Sequence, residues 1–308
     1  MSTESLSAES STATESSTAA ESSSAAEAGT PGVATAAGAT ALDRSVAEAL
    51  DVFTALGDEQ WSAPSACPGW TLHTVLAHLT TGVASIAGLL PPSEPAPPGL
   101  EFEAAIDVQA RALAARPAGE LLELLRTARP AAVGLFDTLS AELATHPVEM
   151  GTAGTYPLAS IADALTFDFT CHLRWDVLAP RGPVQRALPA VDAGRLSASV
   201  RWLAAGIAQM TTSRFRDLLT DPLHIAITGP EAMTIRIQSH AQAVEATPDG
   251  PHASGPSAAS GATPRATVRT SADAFILWST GREPRQGRAE LLGDAAYAEQ
   301  VLAEFRVY

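Results

Sequence analysis

The chain has 308 residues, 46% of them hydrophobic, and 19 basic against 34 acidic side chains, a formal net charge of −15. That is enough apolar material for one large core or two modest ones, and a negative field of this size repels phosphate backbones and anionic lipid headgroups, which argues against nucleic acid or a membrane surface as partner. Two cysteines, Cys67 and Cys171, are too few for a disulfide framework, Met1-Ser2-Thr3-Glu4 lacks the basic start of a signal peptide, and no apolar run approaches the roughly 18 residues of a bilayer span, so a cytoplasmic location is expected.

Residues 1–40 consist largely of Ser, Thr, Ala, Gly and Glu, with too little apolar area to offset ordering entropy, and read as a disordered tail. From Ala47 to Leu56 the apolar residues fall at helical spacing, up to Gly57. Thr71 caps a second expected helix with Leu72, Val75, Leu76, Leu79 and Val83 on its buried stripe. A short helix near 101–115 follows the Pro-rich segment 91–98, then a longer one over 118–145 with a kink at Pro130, then another over 158–178. Four long helices so connected suggest an antiparallel bundle.

Pro180, Gly182, Pro183 and Pro189 mark a boundary near 180–190. Beyond it one more helix, near 191–210, precedes short alternating segments at 223–228, 233–238, 266–270 and 288–292 that read as strands, with helices at 272–280 and 294–305. Thr247 to Pro264, rich in Pro, Gly, Ser and Ala, reads as a flexible loop. The expected class is α plus α+β: a helical bundle over 41–182, then a small α+β domain over 183–308.

Chemistry is signalled where polar residues fall on inward faces. Ile161, Leu165, Asp168, His172 and Trp175 step by four, three, four and three, so all lie on one stripe. A buried carboxylate is costly unless paired, hydrogen-bonded or bound to a cation. His78, at the edge of the second helix's stripe, faces the same interior space, and two imidazoles with one carboxylate leave a position open on a metal, as catalytic zinc sites do. The same spacing also describes a hydrogen-bonded Asp–His pair and a satisfied boundary histidine, and spacing alone leaves both readings open. Asp176, four residues after His172, is placed to orient a ligating imidazole or to cap local charge. Cys67, Cys171, Trp61, Trp70 and Trp175 read as packing residues, and His73, His146, His224, His240 and His252 as surface or loop residues.

The segment from Trp61 through Cys67-Pro-Gly-Trp70 and Thr71 to His78-Leu79 resembles the N-terminal signature of the mycothiol-dependent maleylpyruvate isomerase family, a branch of the DinB-like metal-binding bundles. The resemblance continues through Asp168-Phe-Thr-Cys-His172-Leu-Arg174-Trp-Asp176. It returns at Trp278-Ser-Thr-Gly281-Arg282 and Leu292-Gly293-Asp294, similar to the family's sterol-carrier-protein-like C-terminal domain. It implies a DinB-like four-helix bundle, with His78, Asp168 and His172 as ligands of a divalent metal, zinc by preference, and mycothiol as thiol cosubstrate. Asp168 stands where the family more often carries Glu, so either the helix sits closer to the ion or a water bridges the gap. Arg282 is expected to contact a substrate or thiol carboxylate, or else to pair with surface acids. The implied activity is thiolate addition to an electrophile, in an isomerase or a detoxifying mycothiol S-transferase. A reading of another class is a non-catalytic metal-binding regulatory protein. Oligomeric state is not legible.

Overall fold

The computed structural model describes residues 31–91, 100–240, 243–249 and 263–308. The first half is helical. Helix α1 (Pro31–Thr54) turns Leu42, Val46, Ala49 and Phe53 inward at steps of four, three and four, against α4 (Ala118–Asp137) and α6 (Ser160–Cys171). Helix α2 (Leu72–Ile86) lies against α4 and α3 (Phe102–Leu113) and buries the expected stripe. It starts where expected, because the Thr71 hydroxyl accepts the Thr74 N–H at 3.2 Å.

Four boundaries differ from expectation. Residues 31–40, assigned above to the tail, belong to α1: Gly38 and Ala39 are buried, and a Cβ at Gly38 would stand 3.3 Å from the Ala162 Cβ of α6, so small residues achieve by close approach what large apolar ones usually do. Residues 1–30 lie outside the described residues. The helix expected to reach 145 ends at Asp137, and Ser140 caps a separate turn, α5 (Ala141–Ala144), by accepting the Leu143 N–H. A hairpin of β1 (Pro147–Glu149) and β2 (Thr155–Pro157) follows. Its three-residue strands are too short to show alternation.

The helix expected to run to 178 changes pitch at His172. After α6 the chain makes a wider π-helical turn, His172–Val177, with the Leu178 N–H on the Leu173 carbonyl at 3.1 Å. A strict 3.6-residue stripe therefore stops at His172, and Trp175 is only half-buried.

Helix α7 (Ala193–Met210) joins the halves: it packs on α6 and α1, and also on strand β5 (Ala243–Asp249) and helix α9 (Ala272–Ser279). Asp192 caps it through the Arg195 N–H, and the short helix α8 (Ser213–Leu218) follows. The sheet has the order β5-β4-β3-β6-β7. Strand β3 (Leu223–Thr228) pairs antiparallel with β4 (Met233–His240) and parallel with β6 (Ala266–Ser271), while β7 (Ala289–Gly293) is antiparallel to β6. Ile225 stands opposite both Ile235 and Val268, all buried. Residues 247–249, assigned to a loop, are the end of β5, paired with β4; residues 250–262 of that loop lie outside the described residues. After α10 (Ala295–Leu302) the segment 303–308 returns to the junction, where the Val307 N–H meets the Ser279 carbonyl at 2.9 Å. None of the described helices is long and apolar enough to cross a membrane.

Candidate metal centre

His78 projects from α2, and Asp168 and His172 stand one turn apart at the end of α6. One donor atom from each lies within 4.8 Å of the other two. His78 Nε2 is 3.6 Å from Asp168 Oδ2. Two donors on a tetrahedral zinc, each about 2.0–2.2 Å from it, stand roughly 3.4 Å apart, so this separation fits one ion held directly by both. The donor types fit as well, since imidazole and carboxylate suit zinc and related divalent ions.

The imidazoles are held in place. The Trp70 ring lies 5.1 Å from that of His78 and 5.6 Å from that of His172, and the two imidazoles meet edge to face at 4.9 Å. Trp70 is fixed in turn: its Nε1–H donates to Asp107 at 2.7 Å, and Arg111 donates to both oxygens of Asp107 and to the Gly69 carbonyl. Sequence reading treated Trp70 as a packing residue. Its contact with both histidines requires the turn before α2 to fold over α6, which no local pattern signals.

Asp176 lies beneath His172 on the π turn, its Oδ2 2.9 Å from His172 Nδ1. Burial alone would raise the Asp176 carboxyl, but the His172 hydrogen bond and the Arg282 guanidinium hold it at about 2. Burial also lowers the His172 pKa. A neutral His172 beside an ionised carboxylate carries its proton on Nδ1, which leaves the Nε2 lone pair for a cation.

Arg282 lines the cavity and pairs with a buried acid, not with the expected surface acids. Its Nη2 donates to Asp176 Oδ2 at 2.8 Å and its Nε reaches both carboxylate oxygens at 3.3 Å, so the guanidinium is committed to a buried acid. Arg181 supports it, donating to the Arg282 carbonyl at 2.5 Å and approaching Asp176 at 4.0 Å.

Cys67, His172 and Asp176 form a second close group. The Asp176 oxygens are already taken by His172 and the arginines, so this set is the poorer cation site. Burial, then the Asp176 charge, push the Cys67 thiol up to about 11, and burial pushes Cys171 up to about 12, so both are protonated near neutrality. Among the other histidines, His73 and His224 differ from expectation. His73 is half-buried on α2 against the edge of Trp61, and His224 is half-buried on β3. His252 lies outside the described residues.

These donors open onto a cavity of about 450 Å³, lined from the helical half by Cys67, Trp70 and Glu103 and from the other by Arg282, Arg306 and Tyr308. Residues 42–178, a span that includes His78, Asp168, His172 and Asp176, match the model of the mycothiol maleylpyruvate isomerase N-terminal domain family. This part of the chain is similar to that family's N-terminal domain. A solved structure of the mycothiol-dependent maleylpyruvate isomerase is similar at 13% identity and a TM-score of 0.46, covering 85% of this chain and 91% of that one. A mutant of that enzyme is similar at the same identity and coverage, with a TM-score of 0.45. No curated protein matches the chain. The matched family domain stops at Leu178, so Arg282, Arg306 and Tyr308 reach the cavity from outside it.

Proposed function

We propose that the protein is a metal-dependent enzyme using a low-molecular-weight thiol, mycothiol, in a maleylpyruvate isomerase-like reaction, with His78, Asp168 and His172 holding one zinc ion. The observation that carries this reading is the convergence of the three donors at the wall of a cavity of small-molecule size. The match of residues 42–178 to the mycothiol maleylpyruvate isomerase N-terminal domain supports the choice of thiol and substrate class. On this reading α1, α2, α4 and α6 are the helices of a DinB-like four-helix bundle, and residues 183–308 form the sterol-carrier-protein-like domain. Asp168 ligates directly, as its 3.6 Å approach to His78 supports.

His78, Asp168 and His172 would hold the zinc, which would supply Lewis-acid stabilisation of a thiolate when bound. The chain's own residues account for the rest. Asp176 holds the His172 proton on Nδ1, and Arg282 keeps Asp176 ionised, so Arg282 is a positioning residue. Trp70 covers one side of both imidazoles and limits water there. Adding a thiolate to a conjugated double bond and later expelling it leaves the thiol unconsumed, as an isomerisation requires.

Metal content of the purified protein beside His78→Ala, Asp168→Ala and His172→Ala tests the ligand set. Near-stoichiometric zinc is expected in the parent and a large loss in each variant, whereas zinc retained in all three would overturn the assignment. Turnover of maleylpyruvate with mycothiol, set against a panel of other electrophiles, separates the isomerase from an S-transferase.

A further inference from the structure

We infer that Arg306 binds a carboxylate of the electrophilic substrate at the mouth of the cavity, an inference that rests on the function proposed above. Three guanidinium groups line the cavity, those of Arg181, Arg282 and Arg306. The first two are committed: Arg282 to both oxygens of Asp176, and Arg181 to the Arg282 and Trp175 carbonyls. Arg306 is exposed and has no ion pair among the described residues; its Nε reaches the Tyr308 main-chain oxygen at 3.4 Å. Its terminal nitrogens remain available for the two-point contact a guanidinium makes with a carboxylate.

The backbone presenting Arg306 is anchored on both sides. Phe305 is buried against Phe215 and Trp278. Val307 is buried and bonded to Ser279, and Tyr308 stacks on Trp202 at 5.3 Å with its hydroxyl on that of Tyr156 at 2.9 Å. Alternation through 305, 306 and 307 therefore fixes the Arg306 backbone and leaves its side chain at the cavity. Such preorganisation lowers the ordering entropy of binding. In a chain of net charge −15, an anion needs a local cation, and Arg306 supplies one that makes no ion pair among the described residues, although its charge is also felt by Glu103 in the same cavity.

The test is calorimetric titration of the full chain, with and without added zinc, using maleate and its uncharged dimethyl ester as probes, on the parent, Arg306→Gln and Arg306→Lys. The parent should bind maleate more tightly than the ester. Arg306→Gln should weaken maleate binding roughly tenfold or more, with Arg306→Lys between, while ester binding and melting temperature stay unchanged. Maleate bound equally by the parent and Arg306→Gln, or maleate and ester weakened together, would overturn the inference. Zinc content of the same samples separates the two claims: a charge-selective loss in protein that binds no zinc upholds Arg306 and removes the metal reading. Stoichiometric zinc with unaltered maleate affinity does the reverse.

Discussion

Arg282 and Asp176, 106 positions apart in the chain, meet at 2.8 Å, and through this contact the sheet-containing half of the protein neutralises the carboxylate that orients His172. The Asp176 side chain is 2% exposed, so the charge it carries is sustained by neighbouring side chains rather than by water. The geometry of the histidine therefore depends on the seating of the segment after α9.

Replacing Asp176 by Asn tests the first half of that dependence. The side chain keeps its shape but loses the charge that fixes the His172 tautomer and raises its basicity. Zinc affinity should fall about 10- to 100-fold, measured by competition with a chromophoric chelator. Unchanged affinity would show that Asp176 does not tune the ligand.

Arg282→Gln tests the second half. It leaves a buried carboxylate short of its main countercharge, a loss of about 3–5 kcal/mol where such a pair is broken from one side. Thermal or urea unfolding should show this loss, and the Arg282→Gln/Asp176→Asn double variant should recover a large part of it. Additive losses would mean that the two residues do not act as a pair.

Local periodicity carries the donors but not their environment. Asp168 and His172 share a helical stripe, and His78 lies beside the stripe of α2, so each face is readable from spacing. That the two faces meet is a tertiary fact, supplied in the sequence by family resemblance alone. Asp176 was legible as a support for His172 because four residues span nearly one turn in an α-helix or a π turn alike. The pitch change itself was not legible, since hydrogen-bond register leaves no mark in hydrophobic spacing. Arg282 was found by motif, but its pairing with Asp176 was not legible, because that partner lies in the other half of the chain. The start of α1 was missed for a related reason: Gly38 and Ala39 pack by being small, and small residues look like tail composition.

The seating of segment 303–308 can be probed from α7. A Cβ at Gly206 would lie 2.6 Å from Val307 Cγ1 and 2.8 Å from Tyr308 Cε2, whereas one at Gly134 on α4 meets nothing within 4 Å. Gly134→Ala should be neutral or stabilising by about 0.5–1 kcal/mol, the ordinary helix preference. In Gly206→Ala overpacking of about 1–3 kcal/mol opposes that gain, so the variant should melt lower than Gly134→Ala and bind maleate more weakly as Arg306 shifts. Equal melting temperatures for the two would show that the segment yields at little energy.

An ion pair remote from the cavity sets a limb of the acid stability. Arg129 on α4 donates to both oxygens of Asp43 on α1, at 2.7 and 2.8 Å, and this hydrogen-bonded fork lowers the Asp43 carboxyl from its ordinary 3.8. A depressed folded-state pKa means that the unfolded chain binds the proton first as pH falls. The stabilisation is therefore complete well above about pH 4 and is lost as pH drops through the lower folded value. Asp43→Asn lacks this contribution at every pH. Its deficit in melting temperature should be largest near pH 6 and should shrink towards about pH 3, where the parent has lost the same interaction. The carboxyl is partly exposed, so added salt should narrow the deficit near neutrality too. A deficit that stays constant across this range would assign the Asp43 contribution to packing or neutral hydrogen bonding and not to charge.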